Sequence, residues 1–158
     1  GAVYKTLTAL SATGLKKTIE NESYEVIFSI RLKSAFIRDT VKFYELFHSF
    51  IGQESTKNPY AYALVKNGAP TTASWTDPGS TFKIEYDISA TGITITNDNM
   101  IFEQYVNSNG VEEVPSNFNY SLPTISADIA GTSDIISVIA KNLSSKSAVV
   151  QFGLRYLE

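Results

Sequence analysis

Alternation of apolar and polar residues runs through most of this chain, and it limits the fold more than any other feature. In "ESYEVIFSIRLKS" Tyr24, Val26, Phe28, Ile30 and Leu32 alternate with Glu25, Ile27, Ser29, Arg31 and Lys33. Successive side chains of a strand point to opposite faces, so a period of two predicts a half-buried strand. "STFKIEYDIS" likewise sets Phe82, Ile84, Tyr86 and Ile88 against Lys83, Glu85 and Asp87. "NMIFEQYVNS" opposes Ile101, Glu103 and Tyr105 to Phe102, Gln104 and Val106, and "GITIT" from Gly92 reads as a shorter strand. "DTVKFYELFHSFIG" fits an amphipathic helix through Val41, Tyr44, Leu46, Phe47 and Phe50. It also fits a strand with Val41, Phe43, Glu45 and Phe47 on one side, and its β-branched and aromatic content favours the strand.

Turn clusters punctuate these runs: "KNGAP" at 66–70, "TDPGS" at 76–80, "TNDN" at 96–99 and "SNG" at 108–110. Asn67-Gly68 and Asn109-Gly110 suit turns that need positive φ. The spacing is that of a sandwich or barrel. The chain closes on "SVIAKNLSSKSAVVQFGLRYLE", read as two strands joined in a hairpin at the serine-rich turn. Ala148, Val150, Phe152, Leu154 and Tyr156 form one face of the last strand; Val149, Gln151, Gly153, Arg155 and Leu157 form the other. Apolar residues on both faces predict a central strand covered on both sides, or one lying against another subunit. No repeat or linker interrupts the 158 residues. The expectation is one all-β domain over 1–158, an antiparallel β-sandwich of jelly-roll type, with 1–22 an N-terminal arm or a first strand.

Composition narrows the function. Net charge is -3 with no basic cluster, whereas a nucleic-acid groove needs grouped Lys and Arg; Lys16-Lys17 reads as a polar turn. The absence of Cys excludes disulfides, Cys zinc sites and thiol catalysis. No run approaches the roughly 18 apolar residues of a spanning helix, so no membrane is expected. "GAVYKTLTAL" lacks the order of a signal peptide, and Gly1 in place of Met suggests processing or a residue left by cloning. Nine Tyr and nine Phe favour strands and surface buried against a partner.

Chemistry-bearing residues are few. His48, the single histidine, stands beside Ser49 without a nucleophile elbow, so a packed role is expected. Asp98, Asp128 and Asp134 lie in turn-like stretches without calcium-loop spacing, and Glu112-Glu113 reads as a solvated loop. No Gly-rich phosphate cradle is present. Trp75, before a turn, reads as a core plug or loop anchor and less readily as a sugar platform. Sequons at Asn21, Asn119 and Asn142 occur without a secretory signal. No catalytic, cofactor or metal residue is assigned.

The order of "EVIFSIRLKSAFIRDTVKF", "YAYALVKNGAP", "STFKIEYDIS", "MIFEQYVNSNG" and "GTSDIISVIAKNLSSKSAVVQFGLRYLE" resembles a group of bacteriophage virion proteins of tails, baseplates and head fibres. The resemblance spans Tyr24 to Glu158; "FEQYVNSNG" departs from it by placing Phe102, Glu103 and Gln104 where the group has small residues. It implies a β-sandwich or jelly-roll module, assembled as a homo-oligomer and without enzymatic activity. The expectation is therefore a phage structural protein in the virion, attached to capsid or tail. Its partners would be copies of itself, with a trimer as first choice, and other virion proteins. The alternative is a receptor- or carbohydrate-binding fibre head, with Tyr60, Tyr62 and Trp75 contacting a host surface glycan. A hydrolase built on a β-sandwich is the third class.

Overall fold

The computed structural model describes residues 3–7, 16–20, 22–52, 58–108, 116–117 and 123–158. Eleven strands follow one another: β1 (Tyr4–Leu7), β2 (Lys16–Ile19), β3 (Glu25–Leu32), β4 (Val41–Gly52), β5 (Asn58–Lys66), β6 (Ile84–Asp87), β7 (Met100–Ser108), β8 (Ser116–Asn117), β9 (Thr124–Ile125), β10 (Ile136–Asn142) and β11 (Ala148–Leu157). Among the described residues the only helical turn is 3-10, at Ser34–Phe36. "DTVKFYELFHSFIG" is thus the strand β4.

The strands form two antiparallel sheets. The first has the order β1-β11-β4-β8, with β2 also on β11 and β9 also on β4; the second has the order β6-β3-β10-β5-β7. Their facing sides share one apolar core, including Leu7, Phe28, Ile30, Phe43, Leu46, Leu64, Ile84, Val138, Val150, Phe152, Leu154 and Tyr156. This is the β-sandwich that the alternation predicts. Phe28, Ile30, Ile84, Tyr86, Ile139, Val150 and Phe152 are all buried.

Among the described residues three bulges interrupt the alternation, one of them at Ile101 of β7, where Leu64 pairs with Phe102 and Val65 with Met100. Val138 pairs with Phe28 and Ile139 with Val26, which leaves Ile27 as an extra residue in β3. Ile27 and Phe28 therefore both enter the main core, while Val26 turns outward with Tyr24. Arg155 pairs with Glu45 and Tyr156 with Phe43, which leaves Tyr44 as the extra residue in β4. Val41 and Phe43 point inward before this bulge, and Leu46 and Phe50 after it. Phe47, expected on the side of Val41 and Phe43, is exposed instead. An inserted residue flips the phase of everything beyond it, which a fixed period cannot represent.

The closing segment differs from the expected hairpin in one further way. β10 lies in the second sheet between β3 and β5, and β11 lies in the first between β4 and the β1/β2 pair, so the serine-rich link is an arch between sheets. Buried Asn142 holds the arch. Its Nδ2 donates to the carbonyls of Lys146 (2.6 Å) and Ile19 (3.0 Å). Its Oδ1 accepts from the N–H and hydroxyl of Ser144 at 2.8 and 2.6 Å. Lys16-Lys17 is likewise strand rather than turn: both residues belong to β2, and Lys17 Nζ donates to the Val26 carbonyl at 3.2 Å.

A third layer covers part of the outer side of the second sheet. Ala90, Ile93, Ile95 and Met100 pack there on Val26, Ala63, Val65 and Ile139. "GITIT" supplies this cover as irregular chain, with only a bridge from Gly92 to Thr71. Buried Asp87 fastens the layer by accepting the N–H groups of Ser74 (2.7 Å), Ser89 (3.0 Å) and Ala90 (3.0 Å) and the Ser89 hydroxyl. In the 66–70 turn Asn67 and Ala69 take positive φ, 58° and 51°, while Gly68 serves close approach. A Cβ at Gly68 would meet Ile93 Cγ1 at 2.7 Å and the Thr94 carbonyl at 2.8 Å. The expected turn at Asn109-Gly110, the Glu112-Glu113 loop and the sequon residues Asn21 and Asn119 lie outside the described residues.

Candidate functional site

Period two puts Tyr60, Tyr62 and Leu64 on one face of β5, and that face is the interior. Tyr60 and Tyr62 are 3% and 0% exposed, which removes them as a ligand platform. Phe50 of β4 stacks on Tyr60, with ring centroids 4.5 Å apart and planes 1° from parallel. The hydroxyls instead meet His48, which β4 points into the space between the sheets. His48 Nδ1 lies 2.6 Å from the Tyr60 hydroxyl and Nε2 lies 3.2 Å from the Tyr62 hydroxyl. Tyr62 donates onward to Gln104 Oε1 of β7 at 2.9 Å. One assignment satisfies the whole chain: Tyr60 donates to Nδ1, neutral His48 donates from Nε2 to Tyr62, and Tyr62 donates to Gln104. Burial, then the neighbouring Tyr62 hydroxyl, raises the Tyr60 pKa well above the ordinary tyrosine value. Such a phenol holds its proton, so the chain is a structural tie between sheets.

Trp75 is elsewhere. It lies in the link between β5 and β6, half-buried, with the Arg31 guanidinium 4.1 Å above its ring. Arg31 is fixed in turn by an ion pair from Nε to Glu85 Oε1 at 2.7 Å. Arg31 alternates with the inward Ile30 and Leu32, so Trp75 anchors the outer layer and does not join Tyr60 and Tyr62. The expected glycan platform is therefore not assembled from these three residues.

Asp128 and Asp134 are occupied locally. Asp128 Oδ1 accepts the Thr132 N–H at 2.8 Å. Asp134 accepts from Asn67 Nδ2 at 3.0 Å and lies 3.6 Å from Lys66 Nζ. Among the described residues no three His, Asp or Glu side chains are grouped to hold a metal. A groove of about 350 Å³ beside Tyr24 is lined by Lys17, Glu25, Thr91 and Ile93. Its lysine is spent on the Val26 carbonyl and its tyrosine hydroxyl on Glu103.

Exposed rings and cations form two groups: Tyr105 of β7, 59% exposed with Lys141 Nζ 4.9 Å from its ring centroid, on the second sheet, and a larger cluster on the outer face of the first. Tyr4 of β1 and Tyr44 of β4 are 49% and 45% exposed, and Phe47 beside them is 44% exposed. Arg155 of β11 packs against both tyrosines, its guanidinium 4.8 Å from the Tyr4 ring centroid and 5.5 Å from that of Tyr44. The two rings meet edge to face at 5.1 Å. Glu45 is the cross-strand partner of Arg155 and makes no ion pair among the described residues. Sequence reasoning missed this cluster because the bulge at Tyr44 is invisible to a fixed period. The available signal was Arg155 itself, an outward guanidinium on an otherwise apolar strand. Among the described residues no helix is long and apolar enough to cross a membrane. Comparison with known protein families and with curated proteins gives no match.

Proposed function

We propose that this chain is a non-enzymatic structural component of a phage-type virion that assembles with copies of itself. One observation carries the reading: the outer face of the first sheet presents a cluster of exposed rings around a stacked guanidinium. The chain buries part of the outer side of the second sheet under its own loops, with Asp87 as the fastener, and leaves Tyr105 and Ile101 of β7 exposed there. It leaves exposed rings and a stacked guanidinium on the outer side of the first sheet. An apolar, Arg- and Tyr-bearing face is the chemistry of a contact surface. The order of segments supports the virion assignment through the resemblance to phage tail, baseplate and fibre proteins. The engagement of both His48 nitrogens by tyrosine hydroxyls supports a non-catalytic role for the single histidine.

The test is quantitative mass spectrometry of purified particles from the phage or prophage that encodes the chain. The expected result is a fixed copy number per particle, with defective particles after deletion of the gene. Its absence from intact particles would overturn the assignment.

A further inference from the structure

We propose that the outer face of the first sheet, centred on Arg155 and Glu45, docks onto the same face of a second copy of the chain across a two-fold axis. The contact deepens the assembly reading above by naming the surface, the partner and the symmetry.

Four properties of the face lead to this partner. The first is residue type: aromatic rings and Arg dominate the energetics of protein contacts, and Tyr4, Tyr44, Phe47 and Arg155 stand together here. The second is preorganisation. Arg155 is already packed on the touching rings of Tyr4 and Tyr44, so less side-chain freedom is lost on docking.

The third is self-complementarity. A two-fold contact presents one patch to itself, so the patch must contain both members of each charge pair. Arg155 and Glu45 are cross-strand neighbours, the first stacked on rings and the second without an ion pair among the described residues. A copy rotated about an axis near this pair brings each guanidinium to the other copy's carboxylate.

The fourth is size. β11 is ten residues long and lies in a sheet four strands across. With β4 of twelve residues beside it and the short β1, β2, β8 and β9 on the flanks, about 3.3 Å per residue and 4.8 Å per strand give a face that projects to roughly 550 Å². Surface relief brings this close to the ~800 Å² per partner of a standard stable interface.

The charges provide the test. Arg155→Glu gives a face with two carboxylates, and Glu45→Arg gives one with two guanidiniums. Each variant repels its own copy, yet the two are complementary to each other. Sedimentation of the full chain at micromolar concentration should show the parent at twice its 17.4 kDa mass. Each variant alone should self-associate at least tenfold more weakly, and an equimolar mixture should recover the dimer. Circular dichroism establishes that each variant is folded. Should either charge reversal misfold, Phe47→Asp at an exposed position takes its place and should abolish association.

A parent chain that stays monomeric would overturn the proposal. So would variants that dimerise as the parent does, or a mixture of folded variants that remains monomeric. A face that captures a glycan while copies stay apart would overturn it in favour of a binding head. A dimer or trimer indifferent to both charges removes this contact and leaves the virion assignment standing. Absence from particles removes that assignment whatever the charge variants do.

Discussion

Tyr156 and Tyr62 are the same side chain at the same depth, both 0% exposed, and they differ in whether the hydroxyl is answered. Tyr62 meets His48 and Gln104. The Tyr156 hydroxyl has no partner among the described residues. A buried unsatisfied hydroxyl carries a desolvation cost of about 1–3 kcal/mol that a bonded one recovers. Tyr156→Phe should therefore be neutral or stabilise by up to about 1 kcal/mol, while Tyr62→Phe should cost about 1 kcal/mol or more. Urea unfolding of both variants checks this, and a large loss from Tyr156→Phe would show that its hydroxyl is bonded after all. Asp134 supplies a pH dependence. Burial alone raises its pKa, but hydrogen bonds from Asn67 and the Ser126 N–H, with the Lys66 charge, more than offset this, so the carboxyl sits below its ordinary value. A folded pKa below the unfolded value, about 3.9, contributes stability above that pH and loses it as pH falls through the folded pKa. Asp134→Asn should thus lower stability near neutral pH and flatten its decline below about pH 4. An acid melting profile parallel to the parent's would contradict this. Alternation in the sequence placed Tyr60 and Tyr62 on a common face but not on a given side of the sheet. Both sides of β5 carry apolar residues, with Ala61, Ala63 and Val65 opposite the tyrosines, so hydrophobicity did not distinguish them.

At the scale of the element, β11 shows what the sequence makes legible and what it hides. Its inward residues Ala148, Val150, Phe152, Leu154 and Tyr156 follow the period without interruption, and all are buried. Its partners were hidden. A short serine-rich link can close a hairpin or arch between sheets, and the choice rests on the bonds of Asn142 to Ile19, Ser144 and Lys146. The bulges at Ile27 and Tyr44 leave no local mark either, because the extra residue in each case is an ordinary strand former. The corrected pairing changes the reason β11 is indispensable. β10 keeps β3 and β5 when β11 is lost, whereas β1, β2 and β4 lose the strand that joins them. Val150, Phe152, Leu154 and Tyr156 each contribute roughly 1.5–3 kcal/mol by burial. Discounted by about a third for a compact unfolded state, the four together reach roughly 4–8 kcal/mol. That rivals the whole stability of a typical domain, about 5–15 kcal/mol. Truncation after Lys146 should leave an unfolded or insoluble chain. A truncated chain that is soluble and melts like the parent would contradict the central place of β11.

At the scale of the whole molecule, the pairing pattern has a kinetic consequence. Among the described residues no strand pairs with its immediate neighbour in the chain. β1 pairs with β11, β3 with β6 and β10, β4 with β8, β9 and β11, and β5 with β7 and β10. Val3 and Glu158 exchange backbone hydrogen bonds at 3.0 and 2.9 Å, so the first sheet closes only when distant parts of the chain have met. Loop-closure entropy must be lost before any such pairing is rewarded, and β topologies of this kind fold in about milliseconds to seconds rather than microseconds. Both sheets need strands from the last part of the chain, β10 for the second and β11 for the first. Neither can mature early and wait for the other. Equilibrium unfolding should therefore be one cooperative transition, with coincident curves from fluorescence and circular dichroism. Refolding followed by stopped-flow fluorescence of Trp75, whose stack on Arg31 forms only with the outer layer, should be no faster than milliseconds. Microsecond refolding, or separate transitions for the two sheets, would mean that local structure precedes the long-range pairs. The same topology slows escape from the folded state wherever the closing pairs form after the transition state, because such contacts must break before unfolding proceeds. In the particle role proposed above this would be the useful property, since persistence there depends on the rate of unfolding, and a second copy over the β11 face would protect the strand on which both the first sheet and its closure depend.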